Sequence, residues 1–323
     1  VVKPVVQEGA GNPDSIPYRI VASQTFFTRR DTPDPENKKD LGGLRTLDQK
    51  LSQARAGFFC LRGGKKNETP GPHAYQYAFS LGTDNYAQYM VVPHHDFMAG
   101  ELSSTYAISP NFRGGARGGF SEFKNQVTPL LNTQLVDSVP EIKAMFLLLY
   151  DYAAQEQADL FGAFAYDDYL HNSTTPPFTY MGGREIYETI GNHIDSIIAC
   201  FKHFETKPEY YKQQVLDLKN SSDQMTMDLM NERSGSFETW IRFANSLKLR
   251  MAMHMVKVDP ELARKWAEDA VAGGVVESNK DQAALYIMFL GINHPLSEIA
   301  NSWNDTRVAA SFESLLTSLD HPY

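Results

Sequence analysis

The stretch from Trp240 to Met255, WIRFANSLKLRMAMHM, limits the possible folds more than any other part of the chain. Wound as a helix, it sets Trp240, Ala244, Leu247, Met251 and Met255 on one apolar stripe and Ile241, Leu249, Ala252 and Val256 on a second. Arg242, Ser246 and Arg250 form the coherent polar strip. A helix with two apolar faces requires neighbours on both sides, and the small side chains of Ala244, Ser246 and Ala252 let those neighbours approach closely. Asp259 and Pro260 read as an N-cap with proline at the first helical position, and Gly273-Gly274 as a glycine stop. Between them Ala263, Ala267 and Ala270 share a face. The predicted unit, 237–274, is a helical hairpin close to the length of a tetratricopeptide repeat (TPR), with tryptophan early in its first helix and alanines in its second.

The rest of the chain is consistent with a mainly helical array. Leu47, Leu51, Ala54 and Phe58 predict a helix that runs towards the glycine-rich loop Gly63 to Gly71. Further helices are predicted from Phe120 (Phe120, Phe123, Val127, Leu130, Leu131), over Glu141 to Phe161, over Arg184 to Phe204 and over Asp305 to Leu319. Residues 1–45, 207–236 and 277–302 read as irregular, the second carrying a methionine cluster at Met225, Met227 and Met230. Phe112 to Gly119 reads as a flexible loop, since its glycines lack the GxGxxG spacing of a phosphate cradle.

Composition narrows the function classes. A 323-residue chain that is 42% hydrophobic can bury a substantial core. A net charge of −9 argues against nucleic acid or an anionic membrane as partner, because both need a cationic face. Apolar runs such as Ala144 to Tyr150 are far short of the ~20 residues of a spanning helix. Cys60 and Cys200 sit in apolar helical contexts and read as buried thiols, not as a disulfide framework.

Several segments resemble one family. The run Trp240 to Met253, followed by a helix ending Ala270-Val271-Ala272-Gly273-Gly274-Val275-Val276, is similar to the most recognisable segment of the SusD/RagB nutrient-binding outer-membrane lipoproteins of Bacteroidetes. Tyr75-Gln76, leading to Asp84-Asn85-Tyr86-Ala87-Gln88-Tyr89-Met90, resembles it too, as do Thr105-Tyr106 and the helix begun by Ile186-Tyr187. At Phe161-Gly162-Ala163-Phe164-Ala165-Tyr166 the chain departs from the family's Phe-Gly-x-x-Pro-Tyr turn, with Ala165 in the proline position. The resemblance implies TPR-like helical hairpins packed as a right-handed superhelix with long irregular loop excursions. It also implies a single SusD-like domain over 1–323, incomplete at its C-terminus, and a lipidated cysteine upstream of Val1.

Catalytic and metal constellations are scarce. The sequence holds no HExxH, GxSxG, Walker loop or CxxC, and no cofactor is expected. His94-His95-Asp96 is the densest set of metal-ligand types, but adjacent histidines point apart. Asp167-Asp168 and Glu268-Asp269 are sequence neighbours, unlike the facing carboxyls of a glycosidase, and Asp31, Asp34, Glu36 and Asp40 lack the pattern of a calcium loop. Asn245, between apolar stripes, reads as a hydrogen-bonding residue that fixes helix packing. Loop aromatics are the remaining chemistry, because sugar rings stack on flat side chains with polar groups at the rim. Tyr86, Tyr89, Tyr106, Phe112 and Trp303, with Asn111, Arg117 and Asn301 as polar partners, are the candidate ligand residues, against the alternative that each fills a core.

The resemblance then implies a non-enzymatic lipoprotein on the extracellular face of the outer membrane. Such a protein captures an oligosaccharide and passes it to a SusC-like TonB-dependent transporter, its membrane attachment being the N-terminal lipid alone. The alternatives are the same family with an oligopeptide ligand, or a TPR-like scaffold that binds only proteins.

Overall fold

The structure, a computed structural model, describes residues 72–94, 110–137, 139–219, 235–281 and 294–321. The predicted helix around Leu47 to Phe58, Cys60, the Gly63 loop, the acidic cluster at Asp31 to Asp40 and the methionine cluster at Met225 to Met230 lie outside these residues. Those described are mainly helical. The long helices are α1 (Pro110–Leu131), α2 (Pro140–Phe161), α3 (Gly183–Phe204), α4 (Glu209–Lys219), α5 (Glu238–Met255), α6 (Pro260–Ala272) and α7 (Ala310–Ser318). They fall into two compact units, one within 126–281 and the other within 72–125 and 294–321, so that the division runs through α1.

In the first unit α2 packs on α3, α3 on α5, and α5 on α6, with α4 also against α2. The stripe Ile186, Ile190, Ile194, Ile197 and Phe201 explains why α3 forms and which face it turns inward, since all five are buried. Helix α2 starts on Pro140 at its N-terminus and stops at Gly162, whose φ of +74° is a backbone state that favours glycine. It buries side chains on most of its circumference, from Ile142 and Phe146 to Leu149 and Ala154. Tyr211 of α4 donates to Glu141 of α2 at 2.6 Å, and Phe237 stacks on Phe201 at 4.7 Å and meets Phe204 edge-on.

The first predicted stripe of α5 is the core over Trp240, Ala244, Leu247 and Met251, which are buried, while Met255 at the helix end is half-buried. Burial of a side chain the size of Leu247 or Met251 contributes roughly 1.5–3 kcal/mol relative to exposure. The second stripe is buried only at Ala252, while Ile241 and Leu249 are half-buried and Val256, already in the turn after the helix, is exposed. The polar strip is structural, for Ser246 donates to Arg242 O at 2.8 Å and accepts from Val276 N at 2.9 Å. Lys248, unexpected in a core, sets its ammonium 6.0 Å from the centroid of the Trp266 ring and donates to Asp195 on α3 at 2.7 Å.

The hairpin is closed as its sequence requires. Asp259 accepts from Leu262 N at 3.2 Å; that hydrogen bond, then the Arg184 guanidinium, holds its carboxyl below the usual range. At the other end Gly274 has φ +86°, and Asn245 donates to Gly274 O at 2.9 Å. A Cβ on Gly273 would lie 2.7 Å from the Asn245 amide, so the buried asparagine and the glycine pair are one device.

The turn after α2 is held by a buried cluster. Tyr150 donates to Tyr166 O at 2.9 Å, Tyr166 donates to Asp151, and His193 of α3 lies 3.2 Å from the same carboxylate. Burial pushes the Asp151 carboxyl up despite these partners. For His193 burial acts downward, but the hydrogen bond and charge of Asp151 outweigh it and the pKa ends raised. Ala165, fully buried, has φ −80°, a value proline also adopts, so the alanine leaves the turn geometry intact.

Four sequence expectations are corrected, the first being the irregular reading of 277–302, which holds helical turns at Pro295–Ser297 and Glu298–Ser302. The Phe112 to Gly119 run is not a loop: it forms the first turns of α1, which starts at Pro110, ten residues before the expected Phe120. Glycine costs about 1 kcal/mol per helical position, and the buried Phe123, Val127 and Leu130 further along anchor the helix against that cost. Residues 209–219, read as irregular, are the helix α4, whose Tyr211 and Val215 are buried one turn apart. The last helix begins at Ala310, not Asp305, because Arg307–Val308 are extended and pair with a strand.

Candidate ligand-binding site

The second unit carries every candidate ligand residue that the structure describes. Its described residues begin with a continuous helical run, an α turn at Pro72–Tyr75, a π-helix at Gln76–Thr83 and an α turn at Asp84–Tyr86. Gln88 then adopts φ +60°, a left-handed state, and the chain reverses through hydrogen bonds from Gln88 N to Asn85 O and from Tyr89 N to Asp84 O, at 3.0 and 2.9 Å. Strand β1 (Met90–Val91) pairs antiparallel with β2 (Arg307–Val308), Met90 opposite Val308. Ala309 N donates to Tyr89 O at 3.0 Å, extending that pairing. The reversal leaves Tyr86 and Tyr89 exposed at 43% and 50%, with the Tyr89 ring 5.0 Å from Phe312 of α7.

Trp303 is presented by a second, similar construction. A π-helix over Glu298–Ser302 ends with Trp303 N donating to Glu298 O at 3.0 Å, and Asn304 follows with φ +62°, a state asparagine tolerates better than most residues. The indole is half-buried and meets His73 edge-on at 4.5 Å. Asn301, exposed two residues earlier, donates to Ser297 at 3.3 Å. Two contacts fix this segment: Gln76 donates to Asp305 at 3.0 Å, and His94 Nε2 donates to Asn304 O at 3.1 Å. Since a carbonyl only accepts, that bond places the His94 proton on Nε2.

The structure thus brings Tyr86 and Tyr89 onto one turn and Asn301 and Trp303 onto another, within one unit. Asn111, Phe112 and Arg117 lie in the opening turns of α1, and Tyr106 lies outside the described residues. His73 and Phe312, the ring partners of Trp303 and Tyr89, escaped sequence reading because neither stands in a local pattern. His94, considered there as a metal ligand, is engaged by Asn304 and Asp305, while His95 and Asp96 lie outside the described residues. Among the described residues there is no group of three or more side chains that could hold a metal ion. Asp168 accepts from Thr179 N, and Glu268 and Asp269 are exposed, so neither acidic pair forms a facing dyad.

Residues 48–323 match the family described as SusD-like, the Susd and RagB outer membrane lipoproteins. The chain belongs to the SusD-like family. Among solved structures it resembles a chitin-binding SusD homologue from Flavobacterium johnsoniae, with a TM-score of 0.65 and 24% identity over 83% of this chain and 52% of that one. SusD homologues from Bacteroides vulgatus and Bacteroides thetaiotaomicron give TM-scores of 0.66 and 0.64 at 20% and 22% identity, covering 88% and 84% of this chain and 53% and 51% of theirs. The chain therefore spans about half the length of these structures, and the likeness fixes the mainly α, SusD-like fold. No curated protein matches. Among the described residues no helix is long and apolar enough to cross a membrane.

Proposed function

We propose that this SusD-like chain is a non-enzymatic binding protein on the extracellular face of the outer membrane. It is held there by an N-terminal lipid, captures a glycan and passes it to a SusC-like TonB-dependent transporter. The observation that carries the proposal is the family match over 48–323, which runs through both compact units. On the same ground residues 1–323 are read as one SusD-like domain. The glycan is favoured by the exposed Tyr86 and Tyr89 and the half-buried Trp303, flat side chains with Asn301 nearby as a polar partner, and by the chitin-binding description of one similar structure.

Affinity gel electrophoresis against chitin oligosaccharides, plant polysaccharides and host glycans tests the reading. Retardation by at least one of them, without release of shorter products, is expected. Absence of retardation by all of them, with peptides recovered by mass spectrometry of the purified protein, would replace the glycan with an oligopeptide. Co-purification with an outer-membrane barrel tests the transporter separately.

A further inference from the structure

A second site lies in the first unit, where the C-termini of α2 and α5 meet the N-termini of α3 and α6. A cavity of about 290 Å³ opens there, lined by Ala158, Asp159, Tyr187, His254, Val258 and Leu262 among others. Its size is at the ~300 Å³ lower end of ligand pockets, which suits a ligand of a few heavy atoms and not a chain of sugars. Ala158, Val258, Leu262 and the neighbouring Met255 make most of its wall apolar.

The polar groups of the cavity form one connected set. Tyr187 donates to Asp159 Oδ1 at 2.5 Å, Gln155 donates to Asp159 Oδ2, and His254 Nδ1 lies 2.9 Å from that same oxygen. A carboxylate accepts only, so Asp159 holds the hydrogen of His254 on Nδ1 and leaves Nε2 as the ring nitrogen available to a ligand. At the rim Arg184 is engaged twice, by Glu188 at 3.2 Å and by Asp259 at 2.9 Å. The lining therefore holds three carboxylates against one guanidinium that two of them already neutralise. A carboxylate or phosphate ligand would meet net negative charge, whereas a donor-rich cation finds acceptors and an apolar wall for its stem.

We infer that this cavity is a binding site for an alkylammonium group, the ammonium held by the Asp159 carboxylate and the methylenes lying on Val258, Met255 and Leu262. The group can belong to a free small amine or to a lysine side chain, and both present the same chemistry. The site is separate from the aromatic turns of the proposed glycan site, and its existence does not depend on that reading.

The test is ¹H–¹³C methyl NMR titration of the full chain, with methionine, leucine and valine methyls labelled, using n-butylammonium, Nα-acetyl-lysine amide and butyrate as probes. Saturable shifts at Met255, Val258 and Leu262 with either amine, and none with butyrate, are expected; whichever amine binds tighter identifies the source. Asp159→Asn should weaken the amine at least tenfold. Val258 is 77% exposed, so Val258→Lys keeps the fold while placing a competing ammonium at the mouth, and should weaken binding at least fivefold. Equal shifts with butyrate, no shifts at millimolar amine, or full binding by folded Val258→Lys would overturn the inference. Trp303→Ala should leave this titration unchanged, which separates it from any failure of glycan binding.

Discussion

Gly191 of α3 offers a sharp test of how the helical array is packed, because local propensity and tertiary contact predict opposite signs. Glycine inside a helix is about 1 kcal/mol less favourable than alanine, so propensity alone predicts that Gly191→Ala stabilises. The structure says otherwise. A Cβ at this position would stand 2.4 Å from Cζ2 and 2.6 Å from Cη2 of Trp266, whose indole lies buried against the α3 backbone. Carbon atoms rest at about 3.5–4.0 Å, so the rigid ring must retreat by roughly 1 Å, and overpacking of this kind costs about 1–3 kcal/mol. The net expectation is a loss of roughly 0.5–2 kcal/mol, read as a lower urea midpoint with an unchanged slope. In a Trp266→Leu background the obstruction is gone, and the same substitution should stabilise by up to about 1 kcal/mol. The resulting coupling of about 1–3 kcal/mol identifies the contact as the cause. Stabilisation by Gly191→Ala in the presence of Trp266, or an identical effect in both backgrounds, would refute the packing argument.

Leu247→Asp places a carboxylate in the α5 core, where Leu247 is 3% exposed, and should cost at least about 4 kcal/mol, abolishing the cooperative melt followed by circular dichroism. Asn245→Ala removes the donor to Gly274 O and should lower stability by about 1–3 kcal/mol in the same denaturation assay. Burial, and after it the charge of Glu141, pushes the Cys200 thiol up to about 12, so it stays protonated at pH 8. Iodoacetamide should then modify the Cys200 peptide, resolved by mass spectrometry, roughly 10³-fold more slowly in native than in unfolded protein. Because the folded pKa is the higher one, this group adds no instability below the unfolded thiol's pKa of about 8.5 and destabilises progressively as pH rises above it. Trp303→Ala should leave the melt unchanged and weaken glycan retardation about three- to tenfold, the scale of one lost aromatic contact.

What could be read in the sequence was what repeats locally. The α3 stripe and the Trp240, Ala244, Leu247, Met251 stripe of α5 were legible because periodicity selects a buried face without knowledge of the partner. The Asp259 cap and the Gly273-Gly274 stop were legible because each answers a backbone need of its own helix end. Helix α4 was not, since its buried Tyr211 and Val215 are too few to establish a period, and the glycine-rich start of α1 was not, because its support lies further along the same helix. At the candidate site Tyr86 and Tyr89 could be named only beside the alternative that each fills a core, and the scaffold was hidden. The Gln76 to Asp305 bond joins residues 229 apart, and no local pattern announces such a contact.

Two clusters on α2 show how one set of side chains serves two ends. Asp151 and Asp159, about two helical turns apart, each collect a tyrosine and a histidine: Tyr166 and His193 for the first, Tyr187 and His254 for the second. Around Asp151 the neighbours close completely, the carboxylate has no exposed surface, and the result is a fixed turn between α2 and the segment carrying Tyr166. Around Asp159 the helices end, the carboxylate stays 30% exposed beside a cavity, and the histidine keeps a ring nitrogen for something else. Neither aspartate differs from the other in its immediate sequence in a way that would assign these roles. The distinction comes from where α3, α5 and α6 begin and end, so the helix termini of this array, more than its recognisable interior, decide which polar groups are structural and which are free to bind.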